Sequence, residues 1–224
     1  FRNTASHLLS NLNGFEPEQN LVDYNELLEI DKWAIEHALR LQQKIIAAYD
    51  KYEFHLIYQM LHQFCVVEMG GFYLDIVKDR QYTSATDSLA RRSAQTAMYH
   101  LAEMLVRWFA PILSFTADEI WKFIPGERGD SVFLEDWYKL DIDLADSEQR
   151  KLLWDAIIPI RDEVNRQLEK LRVDGVIGSS LDAEIDLYCD SKVYQQLEKL
   201  GDELRFIMLT SYARIHDKND KSTN

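Results

Sequence analysis

Apolar side chains return every three or four positions from Arg2 to Phe123, the spacing of helices with one buried face, and no strand-like alternation interrupts them before Leu140. Arg2 to Leu12 predicts a short helix that Asn13-Gly14 ends and Pro17 keeps from resuming. Asp31 reads as the cap of a long second helix reaching to near Tyr52, with Trp33, Ile35, Leu39, Gln42, Ile45, Ile46 and Tyr49 giving its period. Phe54, Ile57, Leu61, Phe64, Val67, Gly71 and Leu74 then form one stripe, which predicts a single helix of unusual length from Glu53 to about Arg80. Gly70-Gly71 lies inside it at a cost of about 1 kcal/mol per glycine relative to alanine, which predicts a kink or a closely packed neighbour.

Thr86 or Asp87 starts a further helix that buries Leu89, Ala97, Leu101, Met104, Leu105 and Trp108 before Pro111 ends or bends it. Phe115 to Glu119 opens a short helix with Ile120, Trp121 and Phe123 on its apolar side, and Pro125-Gly126 stops that one. An acidic connector follows, pinned by Val132, Phe133, Trp137 and Tyr138. Beyond Asp146 the pattern changes to a long helix from Ser147 to about Val173, kinked or restarted at Pro159. Ala183 to Tyr188 alternates like a half-buried strand, Val193 to Leu200 and Leu204 to Leu209 are helical, and Tyr212 to Ile215 fits a second strand. The expected architecture is mainly α: a helical bundle with its acidic connector over residues 1–145, a small α/β subdomain over 146–216 and a disordered tail over 217–224.

Composition changes this picture in three ways. The chain has 224 residues with 46% hydrophobic content, enough to fill a core, and it lacks any run of 18 apolar residues or a signal-peptide pattern. The expectation is a soluble cytoplasmic monomer without a membrane or DNA partner. Cys65 and Cys189 stand far apart, in no Cys-x-x-Cys, and are expected as buried free thiols. The net charge of −13 opposes nucleic-acid binding, yet the acids concentrate between Asp130 and Glu148, whereas Lys78, Arg80, Arg91, Arg92, Arg107, Lys122 and Arg128 nearly balance the acids between Glu68 and Arg128. A local basic face on an acidic body is therefore possible, and such a body discourages indiscriminate binding.

No His/Cys/Asp/Glu spacing for a metal, no Gly-rich phosphate loop and no nucleophile motif is present, and Trp33, Trp108, Trp121 and Trp154 sit on apolar faces where a core role outweighs base stacking. The informative stretch is Phe72 to Tyr82, where an apolar helix gives way to Lys78, Arg80, Gln81 and Tyr82, followed by Arg91 and Arg92 at the start of the next helix. Single-stranded RNA loops are held by stacking planes with cations at the phosphates, and those chemical types lie together here. Lys78 and Tyr82, at i and i+4, share a face. The competing reading is a solvated helix end on which Asp75, Lys78, Asp79 and Arg80 merely pair with one another.

Together with Arg2-Asn3-Thr4 and the block from Trp108 to Trp121, this stretch resembles the anticodon-binding region of bacterial isoleucyl-tRNA synthetases. Gly178 to Leu181 and Gly201 to Phe206 resemble the junction that follows it, so nearly the whole chain is covered. The Trp-x-Ala-Pro-type block is shared with valyl and leucyl relatives, while the Tyr-Leu-Asp-x-x-Lys-Asp-Arg-x-Tyr block is the narrower, isoleucine-type signal. The resemblance implies tRNA-binding roles for Lys78, Arg80, Gln81, Tyr82, Arg91, Arg92, Arg2 and Asn3. It implies isoleucine tRNA and the catalytic domain of the same parent chain as partners. The family's two catalytic motifs and its zinc-binding tail are missing from this sequence, and beginning at Phe1-Arg2-Asn3-Thr4 looks like a cut in a larger protein. The expectation is thus a non-catalytic portion without its own cofactor, from an ATP-, Mg- and Zn-dependent ligase. The alternatives are a helical protein-interaction module or the equivalent domain of a valyl or leucyl relative.

Overall fold

Small residues bring two long helices together and set the frame of the first unit. α1 (Arg2–Asn11), α2 (Pro17–Asn20) and a 3-10 turn lead into α3 (Glu29–Asp50), which packs against α6 (Leu89–Phe109). Ala34, Ala38 and Ala48 of α3 and Ala94, Ala97 and Ala102 of α6 are buried, so the helices approach closely while Trp108, Phe109, Ile35 and Ile45 fill the space around them. The computed structural model describes residues 1–142 and 147–218, and the chain divides into two compact units, Phe1–Ala145 and Asp146–Asn224.

The stripe expected as one helix is three segments: α4 (Phe54–Gln63), a π-helical stretch (Phe64–Tyr73) and α5 (Leu74–Thr83). A π-helix is wider than an α-helix, and its carbonyls point at the amide five residues on. Gly70 fits that geometry, because a Cβ there would lie 3.1 Å from the Cys65 carbonyl oxygen. The π stretch is held to α3 by a 2.6 Å contact between His37 Nε2 and Glu68 Oε2, and by Trp33 set edge-on to Phe72. Thr4 Oγ1 of α1 donates to the Cys65 carbonyl at 3.4 Å.

α7 (Ser114–Trp121) packs on α6 and leads into the acidic connector. Val132 is buried, Trp137 packs on Tyr49 and Tyr138 bonds to His100, but Phe133 is exposed and pins nothing down. The parts of the expected connector at Asp143 and Asp146 lie outside the described residues. Trp33, Trp108 and Trp121 are buried as expected, and so is Cys65.

The second unit begins with α8 (Ser147–Val173), which runs through Pro159 without restarting. Its buried Trp154, Ile157 and Leu168 belong to a core with Leu197, Leu204, Ile207 and Met208. β1 (Glu184–Cys189), α9 (Ser191–Glu198), α10 (Glu203–Met208) and β2 (Tyr212–Asp217) complete the unit, with the two strands parallel and Asp186 opposite Arg214. Asp217, expected in the tail, closes the strand instead, while residues 219–224 lie outside the described residues. The architecture is mainly α with a small two-stranded parallel sheet, as the periodicity predicted.

Burial makes one joint of the first unit acid-sensitive. His100 Nδ1 lies 2.8 Å from the Tyr138 hydroxyl, and burial lowers the His100 pKa from 6.5 to about 4. The unfolded chain therefore binds the proton first, so the stabilisation is whole above about pH 6.5 and is lost as pH falls towards 4, by about 3 kcal/mol over that window. Urea unfolding at pH 7 and at pH 4.5 should show a smaller pH dependence in His100→Gln than in the parent chain, and equal dependence would contradict this role.

Candidate nucleic-acid interface

A buried carboxylate decides which of the candidate residues can meet a ligand. Asp31 lies two residues inside α3, whose N-cap is Leu28, so it caps nothing and instead turns into the bundle. Its Oδ1 accepts from the Tyr73 hydroxyl at 2.7 Å and from Arg80 Nη2 at 2.8 Å, and its Oδ2 accepts from Ser93 Oγ at 2.6 Å. Ser93 Oγ in turn accepts the Leu28 amide at 2.9 Å, which satisfies a backbone donor at the start of α3. Burial and the Asp31 charge push the Tyr73 hydroxyl well above its ordinary pKa, so it stays a donor. One carboxylate thereby ties α3, the π–α5 segment and α6 together at a single point.

Arg80 is consequently a structural residue. The residue is 5% exposed and its guanidinium is committed to Asp31, turned inward from the surface where an RNA-facing role was expected. Gln81 is also buried, and its Nε2 donates to the Arg91 carbonyl at 3.2 Å, so it joins α5 to α6 rather than offering an amide outward. Helical spacing accounts for this split: positions 80 and 81 face α3 and α6, while positions 78 and 82 face away from them.

Lys78 is exposed and Tyr82 is 71% exposed, one helical turn apart. Across the loop, Ser88 caps α6 by accepting the Arg91 amide at 3.4 Å, and no acid occupies the first turn of that helix. Arg91 and Arg92 are half-buried: Arg91 Nη1 reaches the Ser84 carbonyl at 3.4 Å, and Arg92 Nη1 donates to Gln95 Oε1 at 2.9 Å. Two guanidinium groups thus stand at the positive end of a helix dipole, where an anion would be stabilising. Asp79 and Asp87 lie nearby in sequence, so the local positive excess is small.

The broader basic face is reduced by pairing. Arg107 and Arg128 both meet Glu103 and flank the Trp121 ring at 4.9 and 4.3 Å, and Lys122 meets Asp118 at 2.9 Å. Lys78, Arg91 and Arg92 are left as the cations of the α5–α6 tip. Arg2 and Asn3 are exposed on α1 but serve different surfaces: Arg2 pairs with Glu119 of α7 at 3.8 Å, whereas Asn3 lines a cleft that also contains Lys78. His7, one turn after Asn3, lines the same cleft.

The sheet of the second unit pairs its acids with basic side chains. Arg214 bonds to Asp186 at 2.7 Å and to Glu184 at 2.8 Å, and His216 bonds to Asp186 at 2.8 Å. Asp182 lies in a 3-10 turn just before β1, where its side chain accepts the Ser179 amide at 2.8 Å. Among the described residues no group of three or more His, Cys, Asp or Glu is placed to hold a metal ion. Among the same residues no helix is long and apolar enough to cross a membrane.

A family model described as the anticodon-binding domain of tRNA ligase matches residues 31–187, from Asp31 into β1. The isoleucine–tRNA ligase of Nitrosococcus oceani is 58% identical over 217 residues, which are 96% of this chain and 23% of that protein. That of Alkalilimnicola ehrlichii is 57% identical over 217 residues, again 96% of this chain and 23% of the relative. That of Methylococcus capsulatus is 51% identical over 224 residues, 100% of this chain and 24% of the relative. The chain therefore spans about a quarter of the length of the curated relatives it matches.

Removing Asp31 strands a buried guanidinium, a situation that costs about 3–5 kcal/mol. Asp31→Ala should lower the urea-unfolding stability of this chain by that amount, and a loss below about 1 kcal/mol would show that the pair does not hold the tip.

Proposed function

The chain belongs to the family of anticodon-binding domains of tRNA ligases, and from that premise we propose that it is the tRNA-docking portion of an isoleucine–tRNA ligase. In this reading it seats the anticodon stem-loop of isoleucine tRNA, while activation of the amino acid with ATP and its transfer to the tRNA are carried out elsewhere in the parent enzyme. The narrower, isoleucine-type block in the sequence and the names of the relatives support the amino acid. The parent acts in the cytoplasm, and this portion works as a monomer.

The observation that carries the RNA-facing assignment is the α5–α6 tip. Arg91 and Arg92 add charge to a helix end that is already positive and has no acid in its first turn, an arrangement that phosphate would relieve. Tyr82 offers an exposed ring for a base to stack on, and Lys78 is set one turn behind it to meet the backbone. The remaining surface is strongly acidic, which confines RNA to this tip and keeps the electrostatic part of affinity modest. Docking at a distance from the chemistry contributes to selectivity when it helps assemble the reactive complex, so losses here fall on the aminoacylation step of the parent enzyme.

Lys78→Ala, Arg91→Ala and Arg92→Ala combined should weaken binding of this chain to an isoleucine tRNA transcript. They should also flatten the plot of log affinity against log salt by about 0.7 per cation, about 2 in all. Fluorescence anisotropy over a salt series measures both. An unchanged slope would remove the tip from the interface.

A further inference from the structure

We propose that the cleft between α1 and the π–α5 segment receives the base of one unstacked RNA nucleotide, so that an RNA strand crossing Tyr82 and Lys78 delivers a base into it. The proposal rests on the reading of the tip as an RNA-facing surface and extends that surface to a site not otherwise assigned.

The cleft has a volume of about 390 Å³, within the range of small-ligand sites. Its floor is apolar, from the buried Cys65 and Leu74, and its rim is polar, with Asn3 and His7 from α1 and Asp75 and Lys78 from α5. Gly70 forms part of the wall; a Cβ there would lie 3.1 Å from the Cys65 carbonyl oxygen, so the absence of a side chain leaves that wall flat. Thr4 Oγ1 reaches that same carbonyl at 3.4 Å and fixes the distance between the two sides.

The mixture of charges distinguishes a base from a bare phosphate. Asp75, three residues before Lys78, opposes the ammonium field, so an isolated phosphate gains little. A nucleobase edge carries donors beside acceptors and suits a rim that presents a carboxylate, an ammonium, an amide and an imidazole. The apolar floor supplies the face against which a ring packs. Burial and the charge of Lys78 both lower the His7 pKa, which places the imidazole within the electrostatic reach of Lys78 and keeps it neutral at pH 7. A neutral imidazole offers one donor and one acceptor to a base edge.

Placement relative to the tip is the second support. Lys78 belongs to both surfaces: it lines the cleft and shares a helix face with Tyr82 one turn on. A strand whose base stacks on Tyr82 has its next phosphate near Lys78 and its neighbouring base at the cleft mouth.

The test follows the ring resonances of His7 and Tyr82 by NMR as the chain is titrated, at low salt, with single-stranded pentaribonucleotides and with an abasic pentaribose-phosphate of the same length. His7→Gln and Tyr82→Phe assign the two signals. The expected result is a saturable His7 shift with the base-bearing oligonucleotides and at least a tenfold weaker response to the abasic one. Asn3→Ala, on an exposed position, should weaken the His7 response about tenfold and leave the Tyr82 response in place. Equal His7 shifts with abasic and base-bearing chains would make the cleft a phosphate contact only and overturn the proposal. A Tyr82 shift with a silent His7 would also overturn it while leaving the tip assignment standing, whereas silence at both would reject the cleft and the tip together.

Discussion

The buried Asp31 carboxylate, accepting from Tyr73, Arg80 and Ser93, is the constraint on which the first unit's functional geometry depends. A charge taken fully out of water needs its hydrogen bonds supplied by the protein, and here the donors come from α6 and from the continuous π–α5 segment. Satisfying one group therefore fixes the angle at which α5 leaves the bundle. Once Arg80 and Gln81 are drawn inward, Lys78 and Tyr82 have only the outer face of the helix left to occupy. The ion pair is weak evidence for net stability, since two apolar residues of similar volume could replace it at little cost. Its effect is on direction: an apolar contact would permit rotation of α5, whereas a carboxylate accepting from three directed donors does not.

Much of the fold was legible because burial follows helical period. The buried tryptophans, the helix from Leu89 to Phe109, the break at Pro125-Gly126 and the change to an α/β unit after the connector all come from spacing and from Gly/Pro punctuation. The π stretch was not legible, because its own residues are mostly apolar with no polar face to set the period, and a period of 3.6 fits such a run as well as a wider turn does. Gly70-Gly71 marked the place without stating the form. Asp31 was misplaced for a related reason: an acid near a helix start looks like a cap, and only coordinates show it turning towards Arg80.

The candidate site was half legible. Residue types together with the family resemblance pointed to an RNA-facing tip, and Lys78, Arg80, Gln81 and Tyr82 looked equivalent in sequence. Helical rotation separates them into two that hold the tip and two that are exposed. The same limit applies to charge. Counting cations between Glu68 and Arg128 suggested a broad basic face, yet Arg107, Lys122 and Arg128 are committed to acids within the unit. What survives is a small cationic tip on a chain of net charge −13, and the proposed reading confines RNA to that tip.

Covalent footprinting of lysines is the most direct measurement of that claim. The chain would be acylated with and without an isoleucine tRNA transcript, and the reactivity of Lys78 compared by mass spectrometry with that of the exposed Lys122 and the half-buried Lys151, which are ion-paired on other elements. The account predicts that tRNA protects Lys78 while the other two react as before. Protection of Lys122 or Lys151 with Lys78 unchanged would contradict it.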